Sequence, residues 1–178
     1  DGISYIPEDR IKTGAAGNIS LWGNMIADII DSPLLKKHGL LNYKNIHERA
    51  DKLISDFGVL CQNDDQPIGM LSGGNMQKVV VAREFSSDPK LLIANQPTRG
   101  IDVGANEFIW KKIIEQRDAG KGVILISADL NEIMELSDSI LVMCGGQAAA
   151  YFEDAKKVDE FELGNYMLGL KHQEESES

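Results

Sequence analysis

Apolar and polar positions divide this chain into short blocks whose spacing alternates between that of strands and that of helices. The first block, Gly2-Ile3-Ser4-Tyr5-Ile6, reads as a strand. Beyond the polar stretch Pro7-Glu8-Asp9-Arg10, residues Ile19, Trp22, Ile26, Ile29 and Ile30 fall near one face of a helix that Asn18 can cap and Pro33 ends. Ile46, Ala50, Leu53, Ile54 and Phe57 mark a second helix, with Gly58 at its C′ position. From Leu71 the blocks become regular: a helix over 71–85, the run Leu91-Leu92-Ile93-Ala94, a helix over 108–117, and the run Val123-Ile124-Leu125-Ile126. A short helix near 130–136, a strand over 139–143, a Gly145-Gly146 turn, a strand over 148–152 and a last helix around 160–168 complete the pattern. Unbroken apolar runs between helices are those of buried parallel strands, so an α/β architecture is expected, with a largely parallel sheet flanked by helices.

Chemistry concentrates where the regular part begins. Leu71-Ser72-Gly73-Gly74-Asn75-Met76-Gln77-Lys78 places a hydroxyl and two glycines directly before a helix. Ser72 can cap that helix, the glycines let backbone N–H groups approach a ligand, and the positive helix end favours an anion such as phosphate. By itself a Ser-Gly-Gly helix start is an ordinary cap. Its context changes that reading, because a hydrophobic strand follows and ends in the polar stretch Asn95-Gln96-Pro97-Thr98-Arg99-Gly100-Ile101-Asp102. The end of a strand beside a phosphate site is where a magnesium ligand and a water-activating base would sit.

In this order of motifs the sequence resembles the ABC ATPases, over nearly its whole length: signature motif, Walker B strand, D-loop and switch region. The stretch from Gln96 to Ala105 is similar to the second, C-terminal ATPase half of the tandem subunits that drive monosaccharide and nucleoside importers. The resemblance implies a P-loop NTPase core with a helical subdomain over about 15–70 and the remainder of the catalytic core over about 71–170. It makes Ser72, Gly73, Gly74 and Asn75 the signature residues, which contact the γ-phosphate of ATP held on the opposite half of a head-to-tail dimer. Asp102 matches the D-loop aspartate across the same interface, and Glu8 stands at the Q-loop position, where most members carry Gln. The implied ligands are ATP and Mg2+. The implied partners are the first ATPase half of the same subunit, a membrane permease reached through the helical subdomain, and indirectly a solute-binding protein.

Three positions depart from the family. Walker B ordinarily ends in Asp then Glu, whereas this chain has Asn95 and Gln96, which keep shape and hydrogen bonding but lose the charge that holds magnesium and activates water. Loss of a general base removes about 10²–10⁴ in rate. The switch histidine is replaced by Ala128, before Asp129-Leu130. The site on this half's own strands is therefore expected to hydrolyse ATP poorly, if at all, so that no catalytic or metal-binding residue is assigned. A phosphate loop is also missing: Gly120-Lys121 is followed by Gly122 rather than Ser or Thr, with Glu115 in place of the first glycine. The loop is expected upstream of Asp1, making residues 1–172 a partial nucleotide-binding domain whose missing strand would leave apolar surface uncovered.

Composition narrows the alternatives. Across 178 residues the net charge is −10, which leaves no electrostatic footprint for a nucleic-acid backbone. Part of that acidity lies in residues 173–178, expected to be a disordered tail. No apolar run reaches the ~20 residues needed to cross a bilayer, so a cytoplasmic chain is expected; the resemblance to importer subunits further implies a peripheral place on the inner face of the membrane. Cys61 and Cys144 have no metal or disulfide spacing and read as reduced, partly buried thiols; His38, His47 and His172 are isolated and read as surface residues. Trp22 and Trp110 read as packing residues, and Arg10, Lys12, Lys36 and Lys37 as a solvated face. A soluble ABC protein of DNA repair or translation is the alternative in another class, but long heptad arms or basic surfaces are lacking. A non-hydrolysing structural or regulatory module is a third, against which the intact Ser72-Gly73-Gly74 stretch argues.

Overall fold

The computed structural model describes residues 2–37 and 39–173. His38 and the acidic residues 174–178 lie outside the described residues. Gln173 is within them and is tied to the body of the protein, its amide donating to the Ala149 carbonyl at 2.9 Å and its side-chain oxygen accepting from the Tyr151 amide at 2.8 Å. The chain divides into two compact units, Asp1–Ile126 and Ser127–Ser178.

In the first unit β1 (Ile3–Ile6), β4 (Leu91–Asn95) and β5 (Gly122–Ile126) form a parallel sheet in the order β1-β4-β5. The register pairs Tyr5 with Ile93 and Ile93 with Ile124, so strand alternation sorts the side chains cleanly onto two faces. Ser4, Ile6, Leu92 and Ala94 are buried; α3 (Gly73–Ser86) packs against β1 and α4 (Val103–Asp118) against β5. The opposite face carries Ile3, Tyr5, Ile124 and Ile126, each about half exposed or more. The apolar runs are thus buried on one side only, which corrects the expectation of strands covered on both faces. An apolar run shows that a strand can be covered; whether anything covers it is a tertiary fact.

A helical layer precedes the sheet's second strand. The first helix is shorter than its periodicity suggests: α1 covers only Leu21–Met25, and its cap is Ser20, whose hydroxyl accepts from the Gly23 amide at 3.2 Å, rather than Asn18. Residues beyond it turn repeatedly, and Pro33 opens a 3-10 turn instead of ending a helix. A two-stranded ladder, β2 (Lys36–Lys37) with β3 (Leu40–Leu41), leads into α2 (Tyr43–Asp56). The latter ends as expected, with Gly58 left-handed at φ 57° and the Val59 amide bonding back to the Ile54 carbonyl at 2.9 Å. Leu21, Met25, Ile46, Ala50 and Ile68 are fully buried where α1, α2 and α3 meet.

Asn24 organises the entry to this layer. Its buried side chain accepts from the Ala16 amide at 2.8 Å and donates to the carbonyls of Ala16, Ile19 and Ser20 at 3.2, 3.1 and 3.0 Å.

The second unit holds α5 (Leu130–Leu136), the antiparallel hairpin β6 (Ile140–Cys144) and β7 (Gln147–Phe152), and α6 (Glu160–Met167). Its turn residues Gly145 and Gly146 have φ of 59° and 82°, which two glycines accept without strain. Ile140, Val142, Ala149, Ala150, Leu163 and Tyr166 form its core. No helix among the described residues is long and apolar enough to cross a membrane.

Candidate functional site

The start of α3 is built as the sequence suggests. Ser72 is exposed and extended at φ −62°, and its hydroxyl accepts from the Asn75 backbone amide at 3.4 Å and from the Asn75 side-chain amide at 3.0 Å. The oxygen of the Asn75 side chain in turn accepts from the Leu60 amide at 2.9 Å, tying the helix start to the segment after α2. Met76 donates to the Ser72 carbonyl, so the amides of Gly73 and Gly74 are left without an acceptor among the described residues. Two free N–H groups at the positive end of a 14-residue helix fit an anionic oxygen.

Both glycines lie close to side chains of other elements. A Cβ on Gly73 would stand 2.8 Å from Arg10 Nη2, and one on Gly74 would stand 2.8 Å from Asp102 Oδ2 and 3.1 Å from the Ala105 Cβ. Asp102 itself caps α4, its Oδ1 accepting from the Ala105 amide at 3.0 Å. Gly74 and Asp102 are thus brought side by side across about 28 positions of sequence.

Between the end of β4 and Asp102 the chain is held by side chains from other elements. Gln77, buried on α3, donates to the Pro97 carbonyl at 2.7 Å. Arg10 donates to the Arg99 carbonyl at 2.7 Å and to the Gly100 carbonyl at 3.1 Å. The side chains of Glu8 and Arg99 form an ion pair, and an open cleft of about 460 Å³ is lined by Glu8, Asp9, Arg10, Ile11, Arg99 and Gly100. Asp9 closes the first turn after Glu8: the amides of Lys12 and Ile11, which bond its carboxylate, hold its pKa below the usual range. Arg10 was expected on a solvated face; it is half-buried and bonded across the fold, and nothing in the local charge pattern distinguishes it from Lys12.

At the strand end the chemistry is different. Asn95 donates its side-chain amide to the Tyr5 hydroxyl at 3.3 Å. Gln96 is a non-glycine residue in the left-handed region, φ 51°, with its amide bonded to the Ile126 carbonyl at 2.7 Å. Neither residue supplies an anionic oxygen, so the donor set at this strand end does not fit a tightly held Mg2+. Ala128 and Asp129 belong to the second unit, where Ala128 is exposed and Asp129 caps α5 through the Asn131 amide at 2.9 Å.

Of the three histidines, His47 is not isolated. Its Nδ1 lies 2.5 Å from Asp64 Oδ2, its ring meets Trp22 edge-on, and Trp22 donates its indole N–H to Asp65 at 2.9 Å. Trp22 therefore packs and also bonds. The Asp64 hydrogen bond is the main reason the His47 pKa is raised above 6.5. A histidine that holds its proton more tightly when folded adds stability that is full below its unfolded pKa and lost as pH rises through the folded value. His47→Gln is accordingly expected to destabilise the protein most near pH ~5.5, the deficit shrinking through neutral and alkaline pH; thermal unfolding of both proteins across that range checks it. An equal deficit at every pH would show that the pair is not ionic in the folded state.

The parallel sheet under α3 and α4 has the fold of solved ABC cassettes. The dimeric form of MJ0796, a bacterial ABC transporter cassette, superimposes with a TM-score of 0.71 at 20% identity, over 88% of this chain and 64% of that one. A nucleotide-free ATP-binding cassette from an ABC transporter gives 0.68 at 24% identity, over 94% and 65%. In sequence the chain is a homologue of the ATP-binding proteins of sugar and nucleoside importers. It is 42% identical to the glucose import ATP-binding protein TsgD13 of Haloferax volcanii, over 95% of this chain and 31% of the relative. It is 41% identical to the guanosine import ATP-binding protein NupO of Bacillus subtilis, over 97% and 34%. The chain spans about a third of the length of these curated relatives. No family model matches it.

Proposed function

We propose that this chain is part of the second ATPase half of an importer's ATP-binding subunit, and that it serves an ATP site on the first half while its own site is degenerate. One observation carries the reading. The helix start at Ser72 offers free backbone donors beside Asp102, whereas the strand end at Asn95 and Gln96 offers no carboxylate. In this reading residues 1–172 form one partial nucleotide-binding domain, with the helical subdomain over about 15–70. Ser72, Gly73, Gly74 and Asn75 would face the γ-phosphate of ATP bound to the partner half, with Asp102 next to them. Glu8 would stand in the segment that reports nucleotide state to a membrane permease. ATP would close the two halves, and its hydrolysis on the partner half would reopen them. Mg2+ would be held by the partner half, where it would neutralise phosphate charge. The names of the relatives support a sugar or a nucleoside as the solute, delivered by a solute-binding protein, and a subunit on the cytoplasmic face of the membrane.

The test compares two variants of the full-length subunit with its permease. Ser72→Arg is expected to abolish ATP turnover and Gln96→Ala to leave it nearly unchanged. Loss of turnover in Gln96→Ala alone would place a working site on this half and overturn the proposal.

A further inference from the structure

We infer that Arg10 is a positioning residue that locks residues 99–102 and the start of α3 into one rigid surface, so that the signature residues and Asp102 move as a unit with the Glu8 segment. This rests on the functional reading above.

The guanidinium sits between three stretches of chain that are remote in sequence. It grows from the turn that follows Glu8 and holds two successive carbonyls, of Arg99 and Gly100, at 2.7 and 3.1 Å. Its Nη2 also fills the space a Cβ would take on Gly73, at 2.8 Å. Glu8, two residues away, grips the same loop by the Arg99 side chain. That ion pair is largely exposed and adds little by itself; the two short, charge-assisted bonds from the guanidinium to backbone are the stronger link. The Arg10 Nε is sealed from solvent and has no acceptor among the described residues. A side chain that was simply solvated would not leave a donor unpaired, so its position is set by the carbonyls it spans.

Geometry then explains why arginine is needed. Two adjacent carbonyls point at donors on one planar group, a match that the fixed fork of a guanidinium provides and a single ammonium does not. From Gly100 the chain runs directly to Asp102, whose Oδ2 abuts Gly74. Displacing the loop at residues 99–100 would therefore shift Asp102 against the signature helix. The effect belongs to the closed, reacting state rather than to initial capture of ATP, because in the functional reading the nucleotide is held first by the partner half.

The experiment uses the full-length subunit with its permease and reads ATPase kinetics together with hydrogen exchange. Arg10→Ala is expected to lower kcat about tenfold, with KM for ATP changed less than about threefold. Amide exchange is expected to rise in residues 97–106 and 72–76, and not in the core of α2. Arg10→Lys is expected to recover thermal stability but not kcat. Unchanged kcat and unchanged exchange in Arg10→Ala would overturn the inference, as would a rise in exchange spread through the whole first unit, which marks a merely structural role. If Ser72→Arg leaves turnover intact, the functional reading fails, and Arg10 is then judged by exchange at the two segments alone. If Ser72→Arg abolishes turnover and Arg10→Ala does nothing, only the role of Arg10 falls.

Discussion

In the full-length subunit, Ser72→Arg is expected to reduce ATP turnover by at least about 100-fold, equivalent to roughly 2.7 kcal/mol of barrier. The stability of the protein is expected to fall by only about 1 kcal/mol, the loss of one helix cap. These two magnitudes differ because Ser72 is exposed and buries no side-chain volume. Its hydroxyl satisfies Asn75, a bond the helix start can replace with water. Arginine at this position adds a positive charge to an already positive helix end and sweeps a long side chain over the two free amides of Gly73 and Gly74. A phosphate oxygen approaching those amides would meet that side chain first. Turnover and thermal unfolding measured on the same preparation separate the two effects. A variant that loses turnover and stability in parallel would mean that unfolding, not obstruction, is responsible.

Asn24→Leu carries the largest expected effect on stability, a loss of about 1–2 kcal/mol. Four hydrogen bonds converge on the Asn24 side chain, but they are not equally hard to lose. Each of the three carbonyls it serves keeps another donor: Ala16 accepts from the Ile19 amide, Ile19 from the Ile68 amide, and Ser20 from the Asn24 amide itself. Among the described residues the Ala16 amide has only the Asn24 oxygen, at 2.8 Å. Leucine removes that acceptor from a part-buried bond on an exposed residue, so the cost is that of the lost hydrogen bond and not of a fully desolvated donor. The midpoint of chemical denaturation, read at constant slope, measures it. A change below about 0.5 kcal/mol would show that water reaches the Ala16 amide.

Much of the fold was legible because its signals are local. The strands near residues 91 and 123, the Gly58 helix end and the Gly145-Gly146 hairpin turn follow from periodicity and from backbone conformations that only some residues adopt. Where periodicity misled, the reason is tertiary. Ile19, Trp22, Ile26, Ile29 and Ile30 have helical spacing, yet Ser20 captures the first turn and α1 stops at Met25. Ile19 and Ile30 are then left exposed rather than continuing a buried stripe. An apolar spacing is a necessary condition for a buried helix face and does not supply the partner surface.

The candidate site divides in the same way. Sequence by itself determined which groups are available: a Ser-Gly-Gly helix start, an aspartate placed to cap α4, and two neutral amides at the end of β4. These are matters of chemical identity, and no folding changes them. Tertiary structure decided which of those groups meet. It set Asp102 against Gly74, brought Arg10 89 and 90 positions along the chain to the carbonyls of Arg99 and Gly100, and paired His47 with Asp64. The Arg10 contacts join a side chain to backbone atoms that every residue possesses, so the partner carries no mark in the sequence. Packing alone brings these remote stretches together.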